Sequence, residues 1–187
     1  MVQRMPLELV STSDPEYQLC SDKIRATYPD ACIVTVERNL NEPLRRAFDK
    51  RFEKIHLRRG VEPTIKELFH GTRDGAAVAD ICRNGFDCYR NVASSYGRGT
   101  YFATEAGISV PYMGSDDLEL GYMLICDVLV GECCQGRCNE FIDTEMYDNA
   151  VNSLQRPTIY VTPYHKGAFP KFVVAFYTGA KRNHRRR

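Results

Sequence analysis

His70 and Tyr101 are the two side chains in this sequence whose settings favour chemistry. His70 lies beside a glycine in the apolar run Leu68-Phe69-His70-Gly71-Thr72. Tyr101 follows two glycines in Tyr96-Gly97-Arg98-Gly99-Thr100-Tyr101-Phe102-Ala103. Glycine inside a β-type run marks a place where something approaches the backbone closely. A strand with His beside Gly, followed by a strand with Tyr behind two glycines, can hold a flat polar ligand between them. Gly-x-Gly-Thr-Tyr-Phe can equally be a bulged core strand whose aromatics pack inward. The presence of both runs, with a helix-like segment and a polar loop between them, shifts the balance to the ligand.

Capping signals and periodicity outline the elements that must position these runs. Ser13-Asp14-Pro15-Glu16 is a capping-box pattern, and Tyr17, Cys20, Ile24 and Tyr28 recur at helical spacing. The spacing predicts a helix of about four turns that ends before Pro29. Ala31 to Arg38 alternates and is rich in Val, Ile and Thr, which predicts a strand. Asn41-Glu42-Pro43 opens a second helix, with Leu44, Phe48, Phe52 and Ile55 on its buried side and Arg58-Arg59-Gly60 at its end. Its other face carries Arg45, Arg46, Lys50, Arg51 and Lys54, which suits a solvated face, with acidic lipid or nucleic acid as the alternative.

The site-bearing half follows. Glu67 to Gly71 reads as a strand, and Ala76 to Cys82 as a small-residue helix closed by Asn84-Gly85. Phe86 to Ser95 is a polar loop of about ten residues, placed as a lid between the two runs. Arg98 to Ala103 is the second site strand, and Thr104 to Tyr112 a short helix. Gly121 to Gly131, Thr158 to Thr162 and Lys171 to Tyr177 read as strands, the last two joined by a turn around His165-Lys166-Gly167. Most connections in this half are too short for parallel crossovers. The expected class is therefore α+β, with antiparallel sheets flanked by helices.

Composition narrows what the chain can do. Its 187 residues suffice for one domain with a sizeable core. The formal net charge of +1 supplies no global field toward nucleic acid or membrane. No apolar run approaches the length of a membrane span. The first ten residues lack the apolar core of a signal peptide, so an intracellular protein, cytoplasmic or nuclear, with reduced thiols is expected. Among the eight cysteines only Cys133, Cys134 and Cys138 cluster, and no paired Cys or His follows at zinc-site spacing, so no metal is expected. Residues 1–180 read as a single domain. Residues 181–187 form a basic tail, either a nuclear-targeting or nucleic-acid patch or a solvated end.

Leu68-Phe69-His70-Gly71-Thr72, Asn84-Gly85-Phe86 and Ser95 to Ala103, taken in this order, closely resemble the catalytic domain of the poly(ADP-ribose) polymerase superfamily, the diphtheria-toxin-like ADP-ribosyltransferases. The likeness is strongest to the mono-ADP-ribosylating branch found with macrodomains or WWE domains. It extends outward to Asp14-Pro15-Glu16-Tyr17-Gln18, Val36-Glu37-Arg38 and Asn41-Glu42-Pro43-Leu44. Tyr122 to Gly131, Arg156 to Val161 and Ala168 to Phe172 resemble the closing strands, so it covers about Leu7 to about Tyr177. The resemblance implies the ADP-ribosyltransferase fold, two mostly antiparallel sheets forming an NAD cleft, with NAD as co-substrate and a protein acceptor, automodification included. The stretch ahead of His70 is too short for the helical domain of the DNA-activated polymerases, so no dependence on DNA is expected.

The same resemblance assigns roles by position. The imidazole of His70 hydrogen-bonds the adenosine ribose, and the backbone of Gly71 clamps the nicotinamide carboxamide. Tyr101 shapes the nicotinamide-ribose pocket, Ser109 bonds the carboxamide, and Tyr112 stacks on the nicotinamide ring with Tyr96 covering its other side. Thr72, Phe102 and Ala103 complete the cofactor-binding set. The third member of the triad falls on Ile159, where polymerising members have Glu. A carboxylate there would activate the acceptor hydroxyl for chain growth. Isoleucine does not, so His70, Tyr101 and Ile159 imply transfer of a single unit, with the acceptor supplying the nucleophile. Glu140, Glu145 and Asp148 read as surface charges. Two other readings compete: a catalytically silent domain that binds partners, and an NAD-dependent tRNA 2′-phosphotransferase, which shares a His-Gly-Thr strand but needs an arginine cluster for phosphate.

Overall fold

The structure is a computed structural model and describes residues 6–72, 74–90, 94–114 and 120–177. The basic tail 181–187 and part of the polar lid loop, residues 91–93, lie outside the described residues. Among the described residues nine strands form one hydrogen-bonded sheet: β1 (Leu7–Leu9), β2 (Cys32–Asn39), β3 (Thr64–Thr72), β4 (Thr100–Ala103), β5 (Leu120–Val130), β6 (Cys133–Gln135), β7 (Asn149–Val151), β8 (Ile159–Thr162) and β9 (Ala168–Tyr177). Their order is β1-β2-β9-β5-β3-β4-β8-β7-β6. The sheet has two halves that meet between β3 and β4 through the single pair Phe69 and Ala103. The two sheets expected from the resemblance are thus continuous, joined at this one point.

The helices that flank the sheet are α1 (Pro15–Arg25), α2 (Glu42–Arg59), α3 (Gly75–Asn84) and the single-turn α4 (Ala106–Ser109), which runs into a 3-10 turn at Val110–Tyr112. Capping explains where the first three start. The side chains of Asp14, Asn41 and Asp74 accept from the N–H groups of Glu16, Leu44 and Ala77 at 2.9, 3.0 and 2.8 Å. Gly60 closes α2 at φ 71°, a conformation that costs a residue with Cβ. Cys20 and Ile24 of α1 and Ala106 of α4 pack with Phe69, Met123, Ile125 and Val174. Val78 and Cys82 of α3 pack with Leu68, Leu124, Cys126 and Val173. Successive residues of β5 thus enter different clusters, because both faces of its strand are covered and the run carries little polar alternation.

The elements depart from the sequence reading in a few places. Helix α1 stops at Arg25, short of Pro29: the Thr27 N–H turns back to the Ile24 carbonyl three residues earlier, a tightened turn in place of a further helical one. Tyr28, just past the helix, packs its ring 6.0 Å from that of Phe176. Strand β9 starts at Ala168, ahead of Lys171. Cys126 pairs with Pro170 while Ile125 pairs with Phe172, so Lys171 is the extra residue of a bulge that accommodates the proline. Strands β1, β6 and β7 are three residues each, too short for a period to show. The β6–β7 pair is parallel, an exception to the antiparallel expectation.

Candidate active site

The site lies where β3 and β4 part. In an antiparallel ladder a residue's N–H and C=O point to one edge, and the edge alternates along the strand. The Thr104 N–H donates to Thr158 on the β8 side at 2.9 Å, so the backbone groups of Ala103 and Tyr101 point the other way, toward β3. Phe69, paired with Ala103, points its groups back toward β4, and so does Gly71 two residues on. Continued register would set Gly71 opposite Tyr101, but no such pair forms. The Tyr101 carbonyl instead meets His70 Nδ1 at 2.8 Å, and the backbone of Gly71 is aimed into the gap.

That hydrogen bond decides the state of the imidazole. A carbonyl only accepts, so Nδ1 carries the proton and donates. Burial pushes the His70 pKa below its ordinary value, outweighing the Tyr101 carbonyl, which raises it. The ring is therefore neutral at pH 7, with an unprotonated Nε2. Phe86 and Phe102 crowd it, with ring centroids at 5.0 and 5.6 Å.

Gly71 is required by space. A Cβ there would overlap the carbonyl oxygen of Ser109 and lie 2.9 Å from Met113 Cγ. The Ser109 hydroxyl, itself buried, donates to the Phe69 carbonyl at 3.2 Å, which leaves its lone pairs to accept. Tyr112 follows on the 3-10 turn, 70% exposed, with its ring free to cover a ligand.

Tyr101 is held from the other side. Its hydroxyl donates to the Gly97 carbonyl at 2.7 Å and accepts from the Tyr96 N–H at 2.9 Å. Burial raises its pKa, and the Tyr96 hydrogen bond opposes the shift. Gly97 makes the turn at φ 108°. The segment is pinned to the loop after β6: Arg98 N–H donates to Glu140 O at 2.8 Å, and Asn139 N–H to Ser94 O at 2.8 Å.

Ile159 begins β8 directly opposite Ala103, and Tyr101 faces Val161 in the same ladder, so Tyr101 and Ile159 are diagonal neighbours on one face. Ile159 is half-buried against the cluster of Ile142, Ala150 and Val161. Asn152 brackets it: its Oδ1 accepts from the Ile159 N–H at 3.0 Å, and its own N–H donates to the Ile159 carbonyl at 3.3 Å. Sequence reasoning missed Asn152, since a lone loop asparagine carries no signal of its target.

Three of the expected ligand-binding residues have buried side chains. Phe102 and Ala103 are 1% and 3% exposed, and Thr72, also buried, sits opposite Tyr122 on β5. Among the three carboxylates read as surface charges, Glu140 and Glu145 are exposed, but Asp148 is fully buried. It accepts from Arg58, from Arg59 Nε at 3.0 Å, from the Tyr164 hydroxyl at 3.3 Å and from the Glu132 N–H at 3.0 Å. Its partners lie away from the gap, so it is a structural charge. Among the described residues no group of three or more His, Cys, Asp or Glu side chains is placed to share a metal ion. No helix there is long and apolar enough to cross a membrane.

An imidazole, a bare glycine and an anchored tyrosine around a gap between two strands, in a mixed α+β domain, fit the ADP-ribosyltransferase fold. The family model of the poly(ADP-ribose) polymerase catalytic domain matches residues 15–155, and the chain belongs to that family. It is 32% identical over 187 residues to the mouse protein mono-ADP-ribosyltransferase PARP10, covering 90% of this chain and 19% of that protein. It is 30% identical over 183 residues to human protein mono-ADP-ribosyltransferase PARP12, covering 92% of this chain and 26% of that protein. To human protein mono-ADP-ribosyltransferase PARP14 it is 29% identical over 178 residues, 88% of this chain and 10% of that protein. The chain thus spans a tenth to about a quarter of the length of these relatives. The family match ends before Ile159, whose place follows from its register with Ala103.

Proposed function

We propose that the gap between β3 and β4 binds NAD and that the domain transfers one ADP-ribose unit to a protein acceptor, itself included, with release of nicotinamide. The observation that carries this reading is the parting of the strands after Phe69 and Ala103, which turns the backbone of Gly71 into the gap beside His70 and Tyr101. The residues fit the co-substrate. The backbone of Gly71 and the Ser109 hydroxyl offer donor and acceptor to a carboxamide, and the Ser109 carbonyl leaves no room for a side chain at position 71. The outer lone pair of the Tyr101 hydroxyl, whose other two hydrogen-bond positions are occupied, is left for a ribose hydroxyl.

Bound NAD supplies the glycosidic bond that breaks: nicotinamide leaves with the bonding electrons, and an acceptor atom forms the new bond to the ribose carbon. The protein's share is orientation, with His70 and Tyr101 holding two riboses and Tyr112 capping the leaving group. Ile159 adds no base, so the acceptor brings its own nucleophile and the product stops at one unit. The reading places the domain inside the cell, where its eight free thiols stay reduced.

Incubation with labelled NAD and mass spectrometry of the products tests it. Single ADP-ribose adducts with nicotinamide released are expected. Chains of two or more units would overturn the mono-transfer reading, and NAD binding without any product would favour the silent domain.

A further inference from the structure

Three aromatic rings meet beneath the gap. Phe86 stands edge-on to His70 at 5.0 Å and 75°, and edge-on to Phe102 at 5.1 Å and 79°, while Phe102 lies 5.6 Å from His70. Phe86 is 4% exposed and its position is set by Gly85, which caps α3 at φ 80° with its N–H on the Ile81 carbonyl. The Tyr101 carbonyl holds Nδ1, and Nε2 has no hydrogen-bond partner among the described residues. The buried side-chain atoms left unpartnered among those residues are His56 Nδ1, Arg59 Nη2 and Thr100 Oγ1. His70 Nε2 does not join them, so the atom is not completely sealed off.

We propose that Phe86 is a positioning residue for His70: its edge holds the imidazole with Nδ1 on the Tyr101 carbonyl, so that Nε2 accepts a hydrogen bond from a ligand hydroxyl. The inference rests on the NAD reading of the gap and gives the His70 contact a direction, from ribose hydroxyl to imidazole. It also explains why Phe86 directly follows Asn84-Gly85, because the helix stop delivers the ring to the imidazole. Among the described residues no charged group opposes this. His70 faces Leu124 across β5, Phe102 and the Tyr101 carbonyl on β4, and Phe86 after α3, and that carbonyl is the group that acts on its charge. Removing the ring of Phe86 admits water, lets the imidazole charge nearer its ordinary pKa of 6.5, and puts a proton on Nε2 where the ligand needs a lone pair.

The test pairs two measurements on the full chain. Nitrogen-15 NMR of labelled histidines, without ligand and with His70→Asn for assignment, reads which ring nitrogen carries the proton. Binding of a carbocyclic NAD analogue, whose glycosidic bond cannot break, is measured from pH 8 to pH 6 for wild type, Phe86→Leu and Phe86→Tyr. We expect His70 protonated on Nδ1 at pH 8 in the wild type. Phe86→Leu should lose roughly fourfold in affinity between pH 8 and pH 6, as an imidazole of ordinary pKa predicts. The wild type and Phe86→Tyr should change less.

A proton on Nε2 in the wild type would overturn the proposal even if no variant folds. So would a Phe86→Leu pH profile parallel to the wild type, which would make the ring mere packing. A wild type that does not bind the analogue would sink the NAD reading, while ligand-free NMR of Phe86→Leu beside the wild type would still decide whether the Phe86 ring keeps the imidazole on the Tyr101 carbonyl.

Discussion

At the scale of single residues, the site separates groups that touch a ligand from groups that support them. Tyr112 is mostly exposed and packs into no core cluster, so its ring is available to cover a bound ring. Tyr112→Ala should leave stability within about 0.5 kcal/mol. The same change should weaken benzamide-type nicotinamide mimics about tenfold, the scale of a lost aromatic stack with its burial. Calorimetric titration and a thermal melt check both, and unchanged affinity would shift the nicotinamide position away from α4. Ile159 tests the product. Its neighbours Ile142, Ala150 and Val161 offer no partner to a carboxylate, so Ile159→Glu puts an acid where burial raises its pKa and blunts it as a base. The variant should still attach single units, more slowly. Long polymers on a gel would show that the side chain at position 159 alone sets the product.

Among elements, buried and half-buried charges tie the helices to strands and loops of the sheet. Asp148 joins Arg58 and Arg59 in the last turn of α2 to Tyr164 in the turn between β8 and β9, and to the start of the loop after β5. Truncating it strands two guanidinium groups, and Asp148→Ala should cost about 3 kcal/mol in urea unfolding. Affinity for the NAD analogue should change little, because the network lies away from the gap. Glu67 on β3 pairs with Lys23 of α1 and with Lys171, the bulge residue of β9, at 3.1 Å. Burial alone would raise its pKa, but the hydrogen bonds from the two lysines win and hold it below the ordinary 4.5. A carboxylate whose folded pKa is lowered stabilises the fold above its unfolded pKa, and that stability fades as pH falls through the lower folded value. Urea midpoints taken from about pH 6 to about pH 3 should therefore fall more steeply for wild type than for Glu67→Gln. Parallel curves would mean that the pairs are screened.

For the molecule as a whole, the sheet is a strong centre with a weakly joined wing. Strands β3, β5 and β9 pair over nine to eleven residues and are covered on both faces. The wing of β4, β8, β7 and β6 has strands of three or four residues and meets β3 through one pair. Local opening follows the contacts that must be lost. Amide hydrogen exchange should be slowest in β5 and β9 and faster throughout the wing, and a nicotinamide mimic bridging Gly71 and Tyr101 should slow β4 and β8 most. Equal protection across all strands before ligand is added would rule out such a division.

Some of this was legible in the residues alone. Helix starts follow from local chemistry, Asp14, Asn41 and Asp74 capping through contacts two or three residues away, so that the pattern is written next to the structure it makes. The order His70-Gly71, Asn84-Gly85-Phe86, Gly99-Thr100-Tyr101 pointed to the family and to two strands around a ligand, because each motif is short and continuous. Other features depend on partners far along the chain. Asp148 reads like any loop aspartate until Arg58 and Arg59, about ninety residues earlier, are folded onto it. The register of β4 against β8 sets Ile159 opposite Ala103, and neither strand alone encodes that pairing. The gap itself is a tertiary fact: β3 and β4 are both regular strands in sequence, and only the hydrogen bond from His70 to the Tyr101 carbonyl, in place of a ladder bond from Gly71, makes a cleft between them.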